Sequence, residues 1–586
     1  MENKVCKQCN GDFVVEDEDS VFYEKISPEF GGKKYLIPSP TLCPECRQIR
    51  RLMWRNERSL YKRKCDKTGK DIISIYSPDK TEYKIFDRGE WWKDDWEAMQ
   101  YGRDYDPTQQ FFPQFDQLLK AVPRNSLFNS NTENCDYANY IDSCKNCYMS
   151  FVTYYQSENV HYSYWLYNSK NSLDCHIGDK LEKCYNCVLC FNCYDCRDSL
   201  KLIDCRNCYY SFGLTGCSDC VLCTNLKHKQ YHIENVQYTK AEYEQKLKSF
   251  NFNSELKAKQ YQEQFKDMTK NVIVKYTNQV NCENCTGNDN YDSKNALDCF
   301  MCQNTENSRY SFGQEAAKNC YDSMGGTYEW CYEVNHVGLK ANNCLFCSGV
   351  LNSTYNMYYS EWCHGCHDCF GCAGLRNKSY CVFNKQFSPE EYGQLVGQIV
   401  ENMIEAGEWG EFFPVSLSPF GYNETIANYY FPKTREEALS FGAKWQEIDY
   451  GIKYDGPFYE PHDDIEKYIQ SKDEVDKLLA GILKCEVSGK PFKIMAQELA
   501  FYLENKTPIP RRHYDVRFEE RFKMRTPNKL WHRQCMCEGQ ELSVKDQGSS
   551  GGCEHEGRCT NMFETTYAPE RTEKVYCEGC YRKAVI

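Results

Sequence analysis

The sequence predicts a β-rich, multidomain protein of mixed class, in which terminal zinc-ribbon units with basic helices flank two cysteine-rich parallel β-solenoids with helical caps. Three observations lead to this fold class. Cysteines form C-x-x-C knuckles near both ends of the chain, they recur at every third position in the middle, and both patterns occur twice. Paired knuckles are typical of structural zinc sites, and a short fixed repeat is typical of a solenoid.

The composition indicates where such a protein would work. Its 586 residues include 39 Cys, 46 Tyr and 31 Phe, and the formal net charge is -13 at pH 7. An acidic sum argues against wholesale coating of nucleic acid, although a local basic surface is compatible with it. The N-terminal sequence has no apolar core of a signal peptide, and no stretch has the length of a membrane helix. We therefore expect a cytoplasmic protein with reduced cysteines and no membrane partner.

Clusters of cysteine, separated by cysteine-free charged sequence, divide the chain into six expected segments. They are an N-terminal zinc ribbon with a basic helix and a degenerate second ribbon (1–100), a connector (101–130), a first solenoid with its helical cap (131–270), a second solenoid with its cap (271–407), an aromatic and proline-rich connector with helices (408–480), and a C-terminal unit with a degenerate ribbon, a basic helix and a zinc ribbon (481–586). The second connector is expected either to pack on a neighbouring unit or to carry a partner-binding motif.

The first unit contains the four cysteines of a zinc ribbon. Cys6 and Cys9 form one knuckle, and Cys43 and Cys46 form the other, with the predicted strands VFYEKI and KKYLI between them. Four thiolates supplied as two pairs match the tetrahedral coordination of structural Zn²⁺. The alternative is a hairpin that holds four reduced thiols without a metal.

A strongly basic segment follows the second knuckle, with eight basic residues and one acid between positions 47 and 64. On a helix, one face would carry Arg47, Arg51, Arg55, Arg58 and Lys62. A cationic stripe of this kind suits a phosphate backbone, so we expect contact with RNA, DNA or a ribonucleoprotein. The alternatives are an acidic protein partner, or a solvated helix face without a specific partner.

The C-terminal unit repeats the N-terminal one, and the two copies keep complementary sites. Its candidate nucleic-acid contacts are Arg517, Arg521 and Arg525. Its predicted zinc ligands are Cys535, Cys537, Cys577 and Cys580. An insertion adds Cys553, His555 and Cys559, which could replace one ligand or hold another ion. The remaining ribbon of each copy is degenerate: one keeps only Cys65 and the other only Cys485.

Cysteine recurs in the middle of the chain, as in CYNCVLCFNCYDC, at intervals of three or nine. An iron–sulfur motif would need a different fourth interval, and disulfides are disfavoured because extended residues three apart point to different sides. We favour a solenoid filled by stacked free Cys, with Asn, Asp, Ser and Gly at its corners. The alternative is a chain of zinc sites, whose candidate ligands in the second block are Cys363, His364, Cys366 and His367.

Three stretches carry a resemblance to known proteins: PTLCPECRQIRRLMWRNERSLYKRKCDKTGK, LSPFGYNET and TTYAPERTEKVYCEGCY. Together they resemble a family of large, cysteine-rich zinc-ribbon proteins from candidate-phyla bacteria with small genomes. The resemblance extends over nearly the whole chain, implies the knuckle cysteines as zinc ligands, and implies no activity. The chain departs from the family pattern at Cys535-Met-Cys537 and in the inserted QGSSGGCEHEGRC, so the last ligand set stays open.

These patterns predict a non-enzymatic scaffold with about two structural Zn²⁺ ions. We find no phosphate loop, nucleotide fingerprint, serine elbow or H-E-x-x-H motif in the sequence, and no small-molecule substrate is evident. Two other functions remain open. One is a metal- or thiol-storage protein built on the cysteine repeat, and the other is a protein–protein interaction scaffold that uses the solenoid faces.

Overall fold

A computed structural model describes residues 1–338, 340–539, 555 and 557–585 of the chain. It contains an N-terminal ribbon unit, a first parallel solenoid, two helices, a second parallel solenoid, a long helix, a connector and a C-terminal ribbon unit. The predicted β-rich class with parallel solenoids and cysteine clusters at both ends is confirmed. Cys553, one of the candidate ligands, lies outside the described residues.

Most coils of the solenoids contain 12 residues, as the strand partners Tyr164 and His176 show, whereas a few contain 11 or 13. Every third residue adopts the left-handed backbone conformation, for example Asn186 (φ 53°), Asn192 (φ 51°) and Asp195 (φ 46°). Asn and Asp enter this conformation at lower cost than other side-chain-bearing residues, so they form the corners of the coil. The predicted corner residues are therefore present, and each coil has short sides that place a single side chain inside.

Cysteine is the usual inward side chain of solenoid 1 (residues 129–233). Cys184, Cys187, Cys190 and Cys193 lie on successive sides of one coil and are buried. Cys196 lies above Cys184, and its N–H donates to the Cys184 Sγ at 3.4 Å. Because one inward residue occurs every three positions, cysteine intervals are multiples of three wherever the coils have 12 residues. The narrow interior holds mostly small side chains, with Leu at some inward positions, which explains the repeat without any metal.

Two kinds of hydrogen bond hold successive coils together besides the strand pairing. Thiols donate to carbonyl oxygens: the Cys187 Sγ lies 3.3 Å from the Cys196 oxygen, one coil on. Amides at one corner form a column, in which Asn134 donates to Asn146 at 3.2 Å and Asn146 donates to Asn159 at 3.2 Å. Stacked amides of this kind stabilise parallel, in-register strands.

The strands of the solenoids are short and parallel. In solenoid 1 they are Asn129–Ser130, Asn139–Asp142, Phe151–Tyr154, Glu158–His161, Tyr164–Tyr167, Lys170–Leu173, His176–Asp179, Val188–Phe191, Arg206–Tyr209, Ser218–Val221 and Gln230–Ile233. In solenoid 2 (residues 279–382) they are Gln279–Val280, Gly287–Asn288, Asn290–Tyr291, Lys294–Leu297, Cys299–Phe300, Glu306–Arg309, Phe312–Glu315, Tyr321–Gly326, Tyr328–Glu329, Tyr332–Asn335, Ala341–Ser348, Tyr355–Tyr358, His367–Phe370 and Ser379–Val382. Each solenoid ends in an antiparallel strand, Val236–Gln237 or Lys385–Gln386, as a capping element must.

The helices and the ribbon strands lie outside the solenoids. The α-helices are Asp17–Ile26, Pro44–Leu52, Arg88–Trp91, Phe111–Ala121, Lys240–Leu247, Glu255–Thr269, Pro389–Ala406, Ile426–Tyr430, Arg435–Ser440, Glu466–Ile469, Lys472–Ala480, Ala496–Glu504, Tyr514–Lys523 and Glu578–Val585. The 3-10 turns are Ala98–Tyr101, Val415–Leu417 and Tyr422–Glu424. The remaining strands are Glu2–Val5, Asp12–Val15, Glu29–Phe30, Lys33–Lys34, Tyr61–Lys64, Asp71–Ser74, Ile85–Phe86, Arg124–Asn125, Ile273–Lys275, Leu483–Lys484, Pro491–Phe492, Trp531–Gln534, Met562–Thr565 and Lys574–Tyr576.

Both cap helices begin with a capping box. Thr239 accepts from the Glu242 N–H, and the Glu242 carboxylate accepts from the Thr239 N–H at 2.9 Å. Ser388 and Glu391 form the same reciprocal pair at the start of the second cap helix. These capping boxes satisfy backbone donors that the first turn of a helix leaves unpaired.

The two solenoids lie side by side and run in opposite directions. Phe128 at the beginning of solenoid 1 stacks on Trp362 near the end of solenoid 2, with ring centroids 3.4 Å apart. Further along, Trp165 meets Phe312 at a centroid separation of 5.4 Å. Aromatic outward-facing side chains therefore form the seam between the solenoids, because the inner space of each coil is too small for them.

In each terminal unit, one strand pairs with the short strand that precedes a solenoid, which we call its lead-in strand. Ile85–Phe86 of the N-terminal unit pairs in parallel with Arg124–Asn125, which precedes solenoid 1. Lys574–Tyr576 of the C-terminal unit pairs in parallel with Ile273–Lys275, which precedes solenoid 2. The internal duplication is therefore visible in the structure as two equivalent strand pairings, each of which attaches a ribbon unit to a solenoid.

The connector after the second cap helix packs on the N-terminal unit. Its Glu411 carboxylate pairs with Arg50 at 2.6 Å, and its Ser418 hydroxyl donates to the Met53 carbonyl at 2.7 Å. Glu424 pairs with Lys80 at 2.7 Å. The expectation of an ordered connector packed on a neighbour is met. Within the described part of the chain, none of the helices has the length and apolar character needed to cross a membrane.

Candidate metal centres

Four related segments of the terminal units begin at Cys6, Cys65, Cys485 and Cys535. We call them knuckles A, B, C and D. In the first three, the carbonyl of the cysteine accepts from the N–H four residues further on. The residue four positions after each first cysteine is left-handed: Asn10 (φ 58°), Gly69 (φ 71°), Gly489 (φ 70°) and Gly539 (φ 79°). Asn and Gly occupy these positions because other side chains are strained in that conformation.

Each knuckle faces the residue that precedes a helix. These residues are Cys43, Asp87, His513 and Cys577 for knuckles A to D. In knuckles B, C and D the backbone N–H of that residue donates to the sulfur of the first cysteine, at 3.2, 3.2 and 3.3 Å. The backbone frame is therefore shared, while cysteine ligands on both sides remain only in A and D. The degenerate ribbons keep the fold of a zinc knuckle and lack its donor set.

Knuckle A brings its four cysteines together as predicted. The Sγ atoms of Cys6, Cys9, Cys43 and Cys46 all lie within 4.8 Å of one another, so this tetrad could hold a metal ion. The Cys9 and Cys43 sulfurs are 3.8 Å apart. Two thiolates of a tetrahedral zinc site, with bonds of ~2.3 Å, are separated by about 3.8 Å. The arrangement fits Zn²⁺ without rearrangement of the chain.

The helix after knuckle A favours ionised sulfur. Cys43 is the N-cap of Pro44–Leu52. A hydrogen bond from the Cys46 thiol, assisted by the Cys46 backbone N–H and opposed by burial, lowers the pKa of Cys43 to about 5. The same hydrogen bond, together with burial, raises the pKa of Cys46. Without a metal, the tetrad therefore shares its protons unevenly, and Cys43 is the thiol that ionises first.

Knuckle D forms a second tetrad, but with a different membership from the predicted one. The four sulfurs that lie within 4.8 Å of one another belong to Cys535, Cys559, Cys577 and Cys580. The prediction of Cys537 as the fourth ligand of this tetrad is therefore wrong, and Cys559 of the insertion takes that place. The Cys559 N–H donates to the Cys537 carbonyl at 2.8 Å, which fixes the insertion against the knuckle.

Polar neighbours also favour ionised sulfur at knuckle D. Burial opposes ionisation of Cys577, but hydrogen bonds from the Asn561 amide and the Cys580 backbone lower the pKa of Cys577 to about 7. Burial raises the pKa of Cys535 to about 11. The Asn561 Nδ2 lies 3.3 Å from the Cys577 sulfur. This amide supports the sulfur from outside the tetrad, as is common around zinc thiolates.

A further group shares one member with this tetrad. Cys537, His555 and Cys580 also have donor atoms within 4.8 Å of one another. The His555 Nε2 lies 3.4 Å from the Cys580 Sγ. The sequence pointed to His555 only as a member of the insertion, and its proximity to Cys580 depends on how the insertion folds back.

The cysteines of the solenoids do not form comparable groups. Among the described residues, no solenoid cysteine belongs to a set of three or more converging metal donors. Burial raises the pKa of Cys187 and Cys190, which disfavours the thiolate that a metal requires. The cysteines of the solenoids are free thiols.

The candidate ligands of the second solenoid are separated by the coil geometry. Cys363 and Cys366 point inward, and their thiols donate to the carbonyls of Glu361 and His364. His364 packs against the indole of Trp92 on the outside, with ring centroids 5.0 Å apart. His367 stacks on Tyr355 at 4.6 Å. These four candidate ligands of the alternative zinc sites are not grouped together, because adjacent residues of a coil face opposite sides of its wall.

The predicted basic helix is shorter than expected. It spans Pro44–Leu52, and the chain then turns around Asn56, whose side-chain oxygen accepts from the Ser59 N–H at 2.9 Å. Tyr61–Lys64 is a strand. Arg55, Arg58 and Lys62 therefore do not continue a helical stripe. Lys62 is exposed and Arg58 is half-buried, whereas the other candidate contacts of this segment are buried.

The arginines of the first basic helix are bound by carboxylates of solenoid 2. Arg47 contacts the Asp322 carboxylate at 2.9 Å, and Arg51 contacts the same carboxylate at 3.0 Å. Glu333 accepts from Arg51 at 3.0 Å and from Arg50 at 2.8 Å. Arg47 and Arg51 are 1% and 2% exposed, so the expectation of a solvent-facing cationic stripe is wrong.

The second basic helix makes the equivalent contact with solenoid 1. Asp174 pairs with Arg521 at 2.9 Å and also with Arg517. Arg525 donates to the Tyr430 hydroxyl at 2.9 Å. All three arginines are buried. The two basic helices thus dock on solenoids through one shared aspartate each.

The remaining arginines of the first stripe fill the space between units. Arg55 lies 4.3 Å from the Tyr140 ring centroid, is ion-paired with Glu57 and contacts the His336 ring. Arg58 lies 3.5 Å from the Phe518 ring centroid. The aspartates and glutamates that neutralise the arginines carry no sequence signal of their own. The available clue was that nearly all charges of the stripe are positive, because a buried set of positive charges requires acidic partners.

Comparison of the chain with protein-family models, with characterised proteins and with solved structures finds no match. The class of molecule therefore follows from the fold and the sites alone. It is a double-solenoid protein with a four-cysteine tetrad that could hold a metal ion in each terminal unit.

Proposed function

We propose that the protein is a non-enzymatic scaffold whose terminal knuckles A and D each hold structural Zn²⁺. The observation that carries the proposal is the pair of four-cysteine tetrads, in each of which the sulfurs lie within 4.8 Å of one another. Thiolate-only, four-coordinate sites are typical of structural zinc, whereas catalytic zinc keeps a position open for water. Each ion would fix a ribbon and the helix that begins at it.

The role of the ribbons is to brace the solenoid pair. The helix that starts at knuckle A delivers Arg47 and Arg51 to Asp322 of solenoid 2. A strand next to knuckle D extends the lead-in strand of solenoid 2, and the helix of the same unit places Arg521 against Asp174 of solenoid 1. Zinc at each knuckle would therefore set the position of an element that clamps the solenoids together. The buried arginines are used in this clamp, and for that reason nucleic-acid binding through them is not part of the proposal.

Storage of metal or thiols by the solenoid cysteines is the competing function. It is disfavoured because the thiols of the solenoid cysteines are buried and donate to backbone carbonyls, as that of Cys187 does. A stored metal would have to displace these hydrogen bonds and ionise thiols whose pKa is raised by burial. We therefore assign the solenoid cysteines to the hydrophobic core.

Thiol mapping distinguishes the two functions. The purified chain is treated with a zinc chelator, alkylated for a short time and analysed by mass spectrometry. We expect Cys9 and Cys43 to become reactive when zinc is removed, while Cys187 and Cys190 stay unmodified until the protein unfolds, because of their burial. If the solenoid thiols instead became reactive as the metal was lost, and Cys9 and Cys43 did not change, the result would contradict the proposal and favour storage.

A further inference from the structure

We propose that the C-terminal centre is binuclear, with the Cys580 thiolate bridging two zinc ions. The first ion has the four-cysteine set of knuckle D. The second ion is bound by Cys537, His555 and Cys580. This inference goes beyond the proposed function, which requires only one ion in each terminal unit.

The two donor sets overlap at one sulfur and are otherwise separate. Cys580 is a member of both groups, and Cys537 belongs to the second group alone. The His555 Nε2 lies 3.4 Å from the Cys580 Sγ. Nitrogen and sulfur ligands of one tetrahedral zinc, with bonds of ~2.0 and ~2.3 Å, are separated by about 3.5 Å. The imidazole is thus already at the distance of a ligand that shares an ion with Cys580.

The tautomer of His555 is the one that a zinc ligand requires. Its Nδ1 lies 2.9 Å from the Gly557 carbonyl oxygen, which can only accept, so Nδ1 carries the proton and donates. The Nε2 lone pair therefore points towards the Cys580 sulfur. A backbone carbonyl that orients the second ring nitrogen is the usual support of a metal-bound histidine.

The backbone at knuckle D leaves room for this approach. Gly539 has a φ of +79°, and a Cβ atom added there would lie 2.6 Å from the His555 carbonyl oxygen. A residue with a side chain would be strained at that position and would also push the histidine away. The same glycine that shapes the knuckle therefore leaves room for His555 beside Cys580.

Burial and the donor sets favour a second cation. Cys537 and Cys580 are 1% and 4% exposed, so five sulfurs of this unit share one buried volume. A Zn²⁺ ion in the tetrad uses neither Cys537 nor His555, whereas a second ion would be bound by both. Two thiolates and an imidazole are donors that suit Zn²⁺. The three described donors leave a fourth position for water or a small anion, so the second ion should exchange faster than the first.

Cadmium NMR tests the bridge directly. The full chain is loaded with ¹¹³Cd²⁺ in place of zinc, and its spectrum should contain three signals, one for each donor group. The two C-terminal signals should be coupled to each other through the bridging sulfur. In a His555→Ala variant one of them and the coupling should disappear. In a Cys9→Ser control only the uncoupled N-terminal signal should be lost.

Native mass spectrometry of the zinc-bound protein supplies a second readout, which can still be interpreted if a substitution lowers the stability of the folded chain. The folded chain should carry three zinc ions, and His555→Ala should carry one fewer. Two ions in the parent chain, unchanged in His555→Ala and without cadmium coupling, would overturn the binuclear centre and leave the proposed structural zinc sites intact. A single ion, located at knuckle A, would contradict the structural zinc at knuckle D as well.

Discussion

Replacement of Cys46 by serine is expected to release one zinc ion per chain and to unfold the N-terminal ribbon. Cys46 is a buried member of the knuckle A tetrad and lies in the first turn of the helix Pro44–Leu52. Structural zinc contributes on the order of 10 kcal/mol to the folding of isolated zinc fingers. Because this ribbon also packs on solenoid 2, we expect the free energy of unfolding to fall by about 5 kcal/mol, well above the effect of an ordinary core substitution.

Cys65→Ser is the matched control for that experiment. Cys65 occupies the same position in knuckle B as Cys6 does in knuckle A, is equally buried, and accepts a hydrogen bond from the Asp87 N–H at 3.2 Å. Its knuckle has no tetrad, so the loss should be about 1–2 kcal/mol with the zinc content unchanged. Thermal unfolding and elemental analysis of both variants give the comparison. Equal destabilisation, or full zinc retention in Cys46→Ser, would refute a structural zinc at knuckle A.

Replacement of Asp322 by asparagine should be the most damaging single change in the clamp between helix and solenoid. Asp322 is fully buried and is the common partner of Arg47 and Arg51. The amide preserves the shape and removes the charge, which leaves buried guanidinium groups that Glu333 alone must neutralise. Breaking a buried ion pair in this way typically costs about 3–5 kcal/mol.

An exposed ion pair provides the contrast. Glu401 pairs with Lys33 at 2.8 Å, and their side chains are 53% and 63% exposed. Glu401→Gln should therefore change stability by less than about 1 kcal/mol, and its effect should shrink further in salt. Chemical denaturation of the two variants at low and high salt is the measurement. A similar small effect for both would mean that the Asp322 site is open to water, against the structure described above.

The repeat in the middle of the chain determined the solenoids almost completely. A residue that must be small and inward-facing every three positions, with Asn or Asp suited to the left-handed conformation, leaves few other folds. Cys184 and Asn186 are examples of the two roles. The knuckle tetrad of Cys6, Cys9 and their partners was equally predictable, since it depends on local spacing.

Contacts between distant segments were not predictable in the same way. The arginine stripe has the spacing of an exposed phosphate-binding face, yet Asp322 and Asp174 bury it from more than a hundred residues away in the chain. The exchange of Cys537 for Cys559 depends on how the insertion folds back over knuckle D. Spacing constrains neighbours in sequence, whereas pairing of charges across units depends on the tertiary structure.

The zinc content of the natively purified chain tests the central claim most directly. After passage over a chelating resin, native mass spectrometry should find zinc tightly bound in the terminal units alone: two ions for knuckles A and D, and three with the bridged centre. The solenoid cysteines should contribute none, because they are buried and their thiols donate to backbone carbonyls, as that of Cys187 does. A folded chain that holds no zinc, or one that holds many more than three ions, would contradict the account.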